Sequence, residues 1–120
     1  MECEYFYGKQ SRHRAFYRIS KQLFTDRQSD TLSVEAMLLY GMMINRMELL
    51  QKNGWIDRQE WHIYFMIDEV KYRLHCANDK AVELMRELGS GKGIGLIESV
   101  RQGLGKPNII YVKILFRGRI

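Results

Sequence analysis

Two short amphipathic stretches separated by three residues constrain this chain more than any other feature. Ile67, Val70 and Leu74 recur at spacings of three and four, and so do Ala81, Leu84, Met85 and Leu88. Apolar residues at that period line one side of a helix. The pattern predicts helices over 67–74 and 78–88, with His75-Cys76-Ala77 as the turn between them. Asp68 and Glu69 fall in the first turn of the first helix, where the positive end of the helix dipole favours carboxylates. Two helices on a tight turn form a helix-turn-helix candidate, whose second helix is the one that enters a major groove when such a unit meets DNA.

The residues after the second helix narrow the fold further. Gly89-Ser90-Gly91-Lys92-Gly93-Ile94-Gly95 reads as a turn. Leu96 to Arg101 then reads as a strand, Gln102 to Pro107 as a glycine-containing loop, and Asn108 to Leu115 as the returning strand. Helix, turn, helix and glycine-tipped hairpin is the order of a winged helix. Upstream, Ser33 is placed to cap a long helix whose Ala36, Leu39, Tyr40, Met43, Met47 and Leu50 form one stripe. Leu38, Met42 and Leu49 add apolar residues elsewhere on it, so this helix is central to the core or shared with a partner. Its methionines read as core filling. Asn53-Gly54 ends it, Trp61 to Phe65 reads as a strand, Phe16 to Ile19 as a short strand, and Lys21 to Phe24 as a helical turn. The fold class expected is α+β: a winged helix-turn-helix over 16–120 with a C-terminal β-hairpin wing. A basic N-terminal arm over 1–15, carrying Lys9, Arg12, His13 and Arg14 and mobile at its start, precedes it.

Charge placement says more than the formal net charge of +5. Residues 1–30 carry six Lys/Arg against four Asp/Glu, residues 31–88 seven against nine, and residues 89–120 six against one. The excess therefore gathers on the hairpin region, the footprint of a polyanion binder or of a solvated basic face. At 120 residues the chain suits one domain. Polar residues interrupt every apolar run short of a membrane span, and the acidic, aromatic N-terminus is unlike a signal peptide. Cys3 and Cys76 form no CxxC pair, and His13, His62 and His75 are scattered. Two reduced cytosolic thiols, a cytoplasmic location, no metal and no cofactor are the expectations.

Gly91-Lys92 in a glycine cluster invites a phosphate-loop reading, which the spacing rejects. That motif needs glycine where Arg86 stands and Ser or Thr where Gly93 stands. The plainer reading is a flexible turn entering the wing. At the hairpin tip, Gly103 and Gly105 permit backbone shapes other residues resist, and Arg101 and Lys106 flank them. Such a tip lies along phosphates or reaches a minor groove; otherwise it is a turn with solubilising charges. On the second helix the buried stripe leaves Asn78, Asp79, Lys80, Glu83 and Arg86 exposed. Asn reads adenine, Lys and Arg read guanine, and a carboxylate accepts from cytosine. Residues 77–88 carry three acids against two bases, so the wing and the arm have to supply most of the attraction to a polyanion. No arrangement points to catalysis.

Four stretches resemble a known family: Phe16 to Phe24, Asn53 to Asp57, Lys92 to Glu98 and Arg101 to Val112. They are similar to the N-terminal domain of the plasmid replication initiator protein A family of Gram-positive bacteria, over roughly residues 16–113. The resemblance implies a winged helix, a homodimer and binding to repeated double-stranded DNA elements of a plasmid origin. It also implies a separate C-terminal domain that engages host replication proteins and is missing here. The family's recognition helix falls on 77–88 and its wing on 96–112. The chain departs from the family pattern at Ser20, where Pro is frequent, and at Met66, where Thr commonly caps the first helix of the pair. Losing that cap costs about 1 kcal/mol. Ala77 replaces a common Ser, and Asn78 and Glu83 stand where lysines are frequent.

On this reading Lys80 and Arg86 contact bases or nearby phosphates and Asn78 and Glu83 tune base choice. Arg101, Gly103, Gly105, Lys106 and Asn108 hold the wing to the backbone. A transcriptional regulator on the same fold and a winged helix used for protein contacts remain open beside it.

Overall fold

The computed structural model describes residues 2, 3, 5, 6, 16–52 and 62–114, apart from the Gln28 side chain. A short helix α1 (Gln22–Thr25) and a single 3-10 turn (Arg27–Ser29) lead into the long helix α2 (Val34–Lys52). Strand β1 (Ile63–Phe65), helices α3 (Ile67–Leu74) and α4 (Asn78–Leu88), and strands β2 (Ile97–Val100) and β3 (Asn108–Val112) come after it.

The three strands form one antiparallel sheet in the order β1-β3-β2. The hairpin therefore does not stand alone: Ile63 pairs with Ile110 and Phe65 with Asn108, while Ile97 pairs with Val112 and Val100 with Ile109. Strand alternation then sorts the side chains. Ile63, Phe65, Ile97 and Ile110 point inward and are fully buried, whereas Tyr64 and Tyr111 face out. His62 makes edge contacts with both tyrosine rings, at centroid distances of 5.2 and 5.7 Å.

The stripes read from the sequence are the core. Ala36, Leu39, Tyr40 and Met43 of α2, Val70 of α3, and Ala81, Leu84 and Leu88 of α4 are buried together. Met47, Leu50, Ile67, Leu74 and Met85 pack against them from the edge. Leu38 and Leu49, off the main stripe of α2, remain exposed.

Phe16 to Ile19 is not a strand; none of its residues pairs with one. Long-range contacts lay this segment along α2 instead. A side chain at Gly41 would sit 2.7 Å from the movable Ile19 Cδ1 and 3.1 Å from the Arg18 carbonyl oxygen, so the segment packs closely on the helix at this glycine. Arg18 also pairs with Glu48. β3 ends at Val112, but Lys113 N–H still bonds the Leu96 carbonyl at 2.8 Å. The expected arm over 1–15 and the Asn53-Gly54 helix stop lie mainly or wholly outside the described residues. No helix among the described residues is long and apolar enough to cross a membrane.

Candidate nucleic-acid interface

The helix pair has the boundaries its periodicity predicts. α3 closes on His75, which takes the left-handed conformation (φ 53°), and Cys76 N–H bonds the Lys71 carbonyl at 3.2 Å. Glycine usually occupies such a position because a β-carbon costs energy there. The helices start without side-chain caps, at Met66 and Ala77.

Glu87 fixes α4 on the start of α2. Ser33 donates through its N–H and its hydroxyl to the two Glu87 carboxylate oxygens, each at 2.8 Å. The same hydroxyl accepts from Ala36 N–H at 3.2 Å and so caps α2. Earlier on α4, Lys80 Nζ lies 3.7 Å from Glu35. Lys80 is half-exposed, and a pair this open to solvent contributes little. The outward face of α4 is left to Asn78, Asp79, Val82, Glu83 and Arg86, of which Arg86 is the one cation.

A second ionic junction stands where sequence suggested only helix-end electrostatics. Arg46 of α2 binds the Glu69 carboxylate through both terminal nitrogens, one of them at 2.8 Å, and also donates to the Tyr64 carbonyl at 2.9 Å. Its guanidinium carbon lies 4.4 Å from the centroid of the Phe65 ring. Arg73, one turn after Glu69, donates to the same carboxylate at 2.9 Å and to the Tyr17 hydroxyl at 2.8 Å. The Arg46 guanidinium holds the Glu69 carboxyl below the usual carboxylate range, with Arg73 helping and burial opposing. Glu69 in turn raises Arg73 further above the ordinary guanidinium value. This network ties α2, β1, α3 and the N-terminal segment into one platform.

The glycine cluster after α4 is a hydrogen-bonded cap. Ile94 N–H bonds the Glu87 carbonyl at 3.0 Å, and Gly95 N–H bonds the Gly89 carbonyl at 2.9 Å. A β-carbon on Gly93 would fall 2.1 Å from the Glu87 carbonyl oxygen, so only glycine fits. Gly89 then bridges to Ile97, which joins the end of α4 to the start of the wing.

At the far end of that hairpin, Arg101, Gly103, Leu104, Gly105, Lys106 and Asn108 line one shallow cleft of about 480 Å³. Five of the nine residues singled out from sequence thus converge at the wing tip. Gly103 (φ 126°) and Gly105 (φ 77°) both use backbone conformations that favour glycine. Gln102 Nε2 donates to the Pro107 carbonyl at 2.8 Å and links the two sides of the loop. Arg101, Leu104 and Lys106 are presented to solvent. Asn78, Glu83 and Arg86 share the outer face of α4, and Lys80 stands apart at its α2 edge.

Compared with protein families, residues 15–118 match the one described as the replication initiator protein A (RepA) N-terminus. The chain belongs to this family. Among curated relatives of the RepA N-terminus is the "41 kDa protein" of Lactobacillus helveticus, 28% identical over 94 residues. The match takes in 78% of this chain but about a quarter (26%) of the relative's length. Two solved structures resemble the RepA N-terminus fold seen here, each at 26% identity. One, described as the N-terminal domain of a DNA binding protein, has a TM-score of 0.69 and covers 96% of this chain and 88% of its own. The other, described as the structure of a Rep-DNA complex, has a TM-score of 0.70 and covers 95% and 88%. The structure of an MDR initiator shares the fold at 23% identity and a TM-score of 0.68, over 95% of this chain and 90% of its own.

Proposed function

We propose that this domain binds double-stranded DNA sequence-specifically, at repeated elements of a plasmid origin, as the opening step of replication. It does so by binding alone and carries no catalytic step. The observation that carries this reading is the wing tip: two exposed cations flank a glycine-shaped turn, on a chain of a replication-initiator family. Its likeness to the Rep-DNA complex supports it. Arg101 and Lys106 neutralise phosphates and release counterions. Asn108 and the backbone at Gly103 and Gly105 hold the loop against the DNA backbone. Asn78, Glu83 and Arg86 meet base edges, with Arg86 suited to guanine. Lys80, whose exposed pairing with Glu35 is weak, contacts bases or nearby phosphates from the α2 edge of the helix.

The outward face of α4 carries Asp79 and Glu83 against Arg86, so attraction to the duplex comes from the wing while the helix discriminates. The domain acts as a homodimer, as the family resemblance implies. Engagement of host replication proteins falls to the C-terminal domain that the family resemblance implies.

Footprinting the domain on the initiation region of its own replicon tests the proposal. Protection of several direct repeats is the expected result. A single palindrome over a promoter would instead mark a transcriptional regulator. No binding to any duplex at low salt would leave a module for protein contacts.

A further inference from the structure

We infer that Leu104 is an apolar wedge: the wing tip enters the minor groove, and Leu104 presses between adjacent base pairs and kinks the duplex. The inference rests on the DNA-binding reading and adds to it a residue that deforms its target.

Leu104 is completely exposed, at 105% of the reference accessibility. Single exposed apolar residues are ordinary. This one differs in its setting. It crowns the hairpin between Gly103 and Gly105, and nothing lies within 4 Å of where a β-carbon on either would stand. Crowding therefore does not demand these glycines; their positive φ angles do. The consequence is a tip whose leucine has no side chain on either neighbouring residue. A minor groove about 6 Å across excludes a helix but admits such a tip.

Two hydrogen bonds close the loop beneath the tip. Lys106 N–H closes the turn on the Gly103 carbonyl at 3.3 Å, and Gln102 bridges to Pro107 at 2.8 Å. Arg101 and Lys106 stand on either side of the leucine in sequence, both exposed. A cation on each flank suits a groove walled by phosphates, whose negative potential draws Lys and Arg inward. Leucine is one of the side chains that wedge into base steps from the minor groove, where unstacking is offset by the contacts a bend permits. In the free protein Leu104 is bare to solvent, so whatever it contributes is contributed on binding.

The test uses the full 120-residue chain with a duplex carrying its protected site. End-to-end energy transfer reports bending, and 2-aminopurine placed at successive steps reports unstacking. The wild type is expected to shorten the end-to-end distance and brighten one step. Leu104→Ala is expected to lose both signals and bind roughly tenfold more weakly, about 1.4 kcal/mol, with its salt dependence unchanged. Leu104→Met, another wedging side chain, restores both signals. A Leu104→Ala variant that bends and unstacks DNA as the wild type does overturns the inference. So does wild-type binding without a bend, which leaves the DNA-binding reading intact. Absence of duplex binding by the wild type removes both.

Discussion

Glu87 closes over Ser33, its two carboxylate oxygens accepting from the Ser33 N–H and hydroxyl at 2.8 Å each. The pair spans 54 positions of sequence and locks α4 to the start of α2. Replacing Glu87 with alanine strands both donors in a half-buried site. Hydrogen bonds to a charged group are worth about 1.5–3 kcal/mol each. Glu87→Ala is expected to lower unfolding free energy by about 2 kcal/mol, read as a lower urea midpoint at unchanged slope.

The Glu69 carboxylate carries a pH dependence. Its folded-state pKa lies below the ordinary carboxylate value, chiefly through Arg46. A depressed carboxylate contributes stability above its unfolded pKa, and that stability is lost as pH falls through the folded value. The wild type should lose more stability than Glu69→Gln between about pH 6 and pH 3. At neutral pH, Glu69→Gln should cost about 2 kcal/mol. Parallel urea titrations at several pH values check both; matching pH profiles for the two proteins would contradict the assignment.

Met66 precedes α3 without a side-chain cap and is half exposed. Threonine there offers a hydroxyl to the free N–H groups of the first turn at little cost in burial. Met66→Thr is expected to stabilise the domain by about 1 kcal/mol in thermal or urea unfolding.

Glycines two positions apart should respond differently. Gly93→Ala drives a methyl group against the Glu87 backbone and should cost about 1–3 kcal/mol. Gly91→Ala meets open space without a positive φ and should be neutral or stabilising by about 0.5 kcal/mol. Side-by-side melting curves decide the matter.

Local signals are the most legible in this sequence. The bounds of α3 and α4 come from stripes of three and four, and both wing strands from β-rich runs around glycine loops. Relations across sequence distance are not legible in the same way. Phe16 to Ile19 has the composition of a strand, yet a strand needs an edge to pair with, and this segment meets Gly41 and Glu48 on a helix instead. Lys80 lies beyond the apolar stripe of α4, but helical periodicity does not disclose that Glu35 waits opposite. The same blindness hides Arg46, 23 positions before Glu69, although the Glu69–Arg73 pair, four positions apart on α3, is a local helical spacing. At the candidate site, the five wing residues meet in one cleft because a hairpin brings sequence neighbours together.

The proposal that the wing tip holds DNA through phosphate neutralisation is tested most directly by the salt dependence of duplex affinity, measured for the wild type and Lys106→Ala. Lys106→Ala is expected to bind all sequences more weakly and alike, with the slope of log affinity against log salt reduced by about one. Unchanged affinity and an unchanged slope would contradict it.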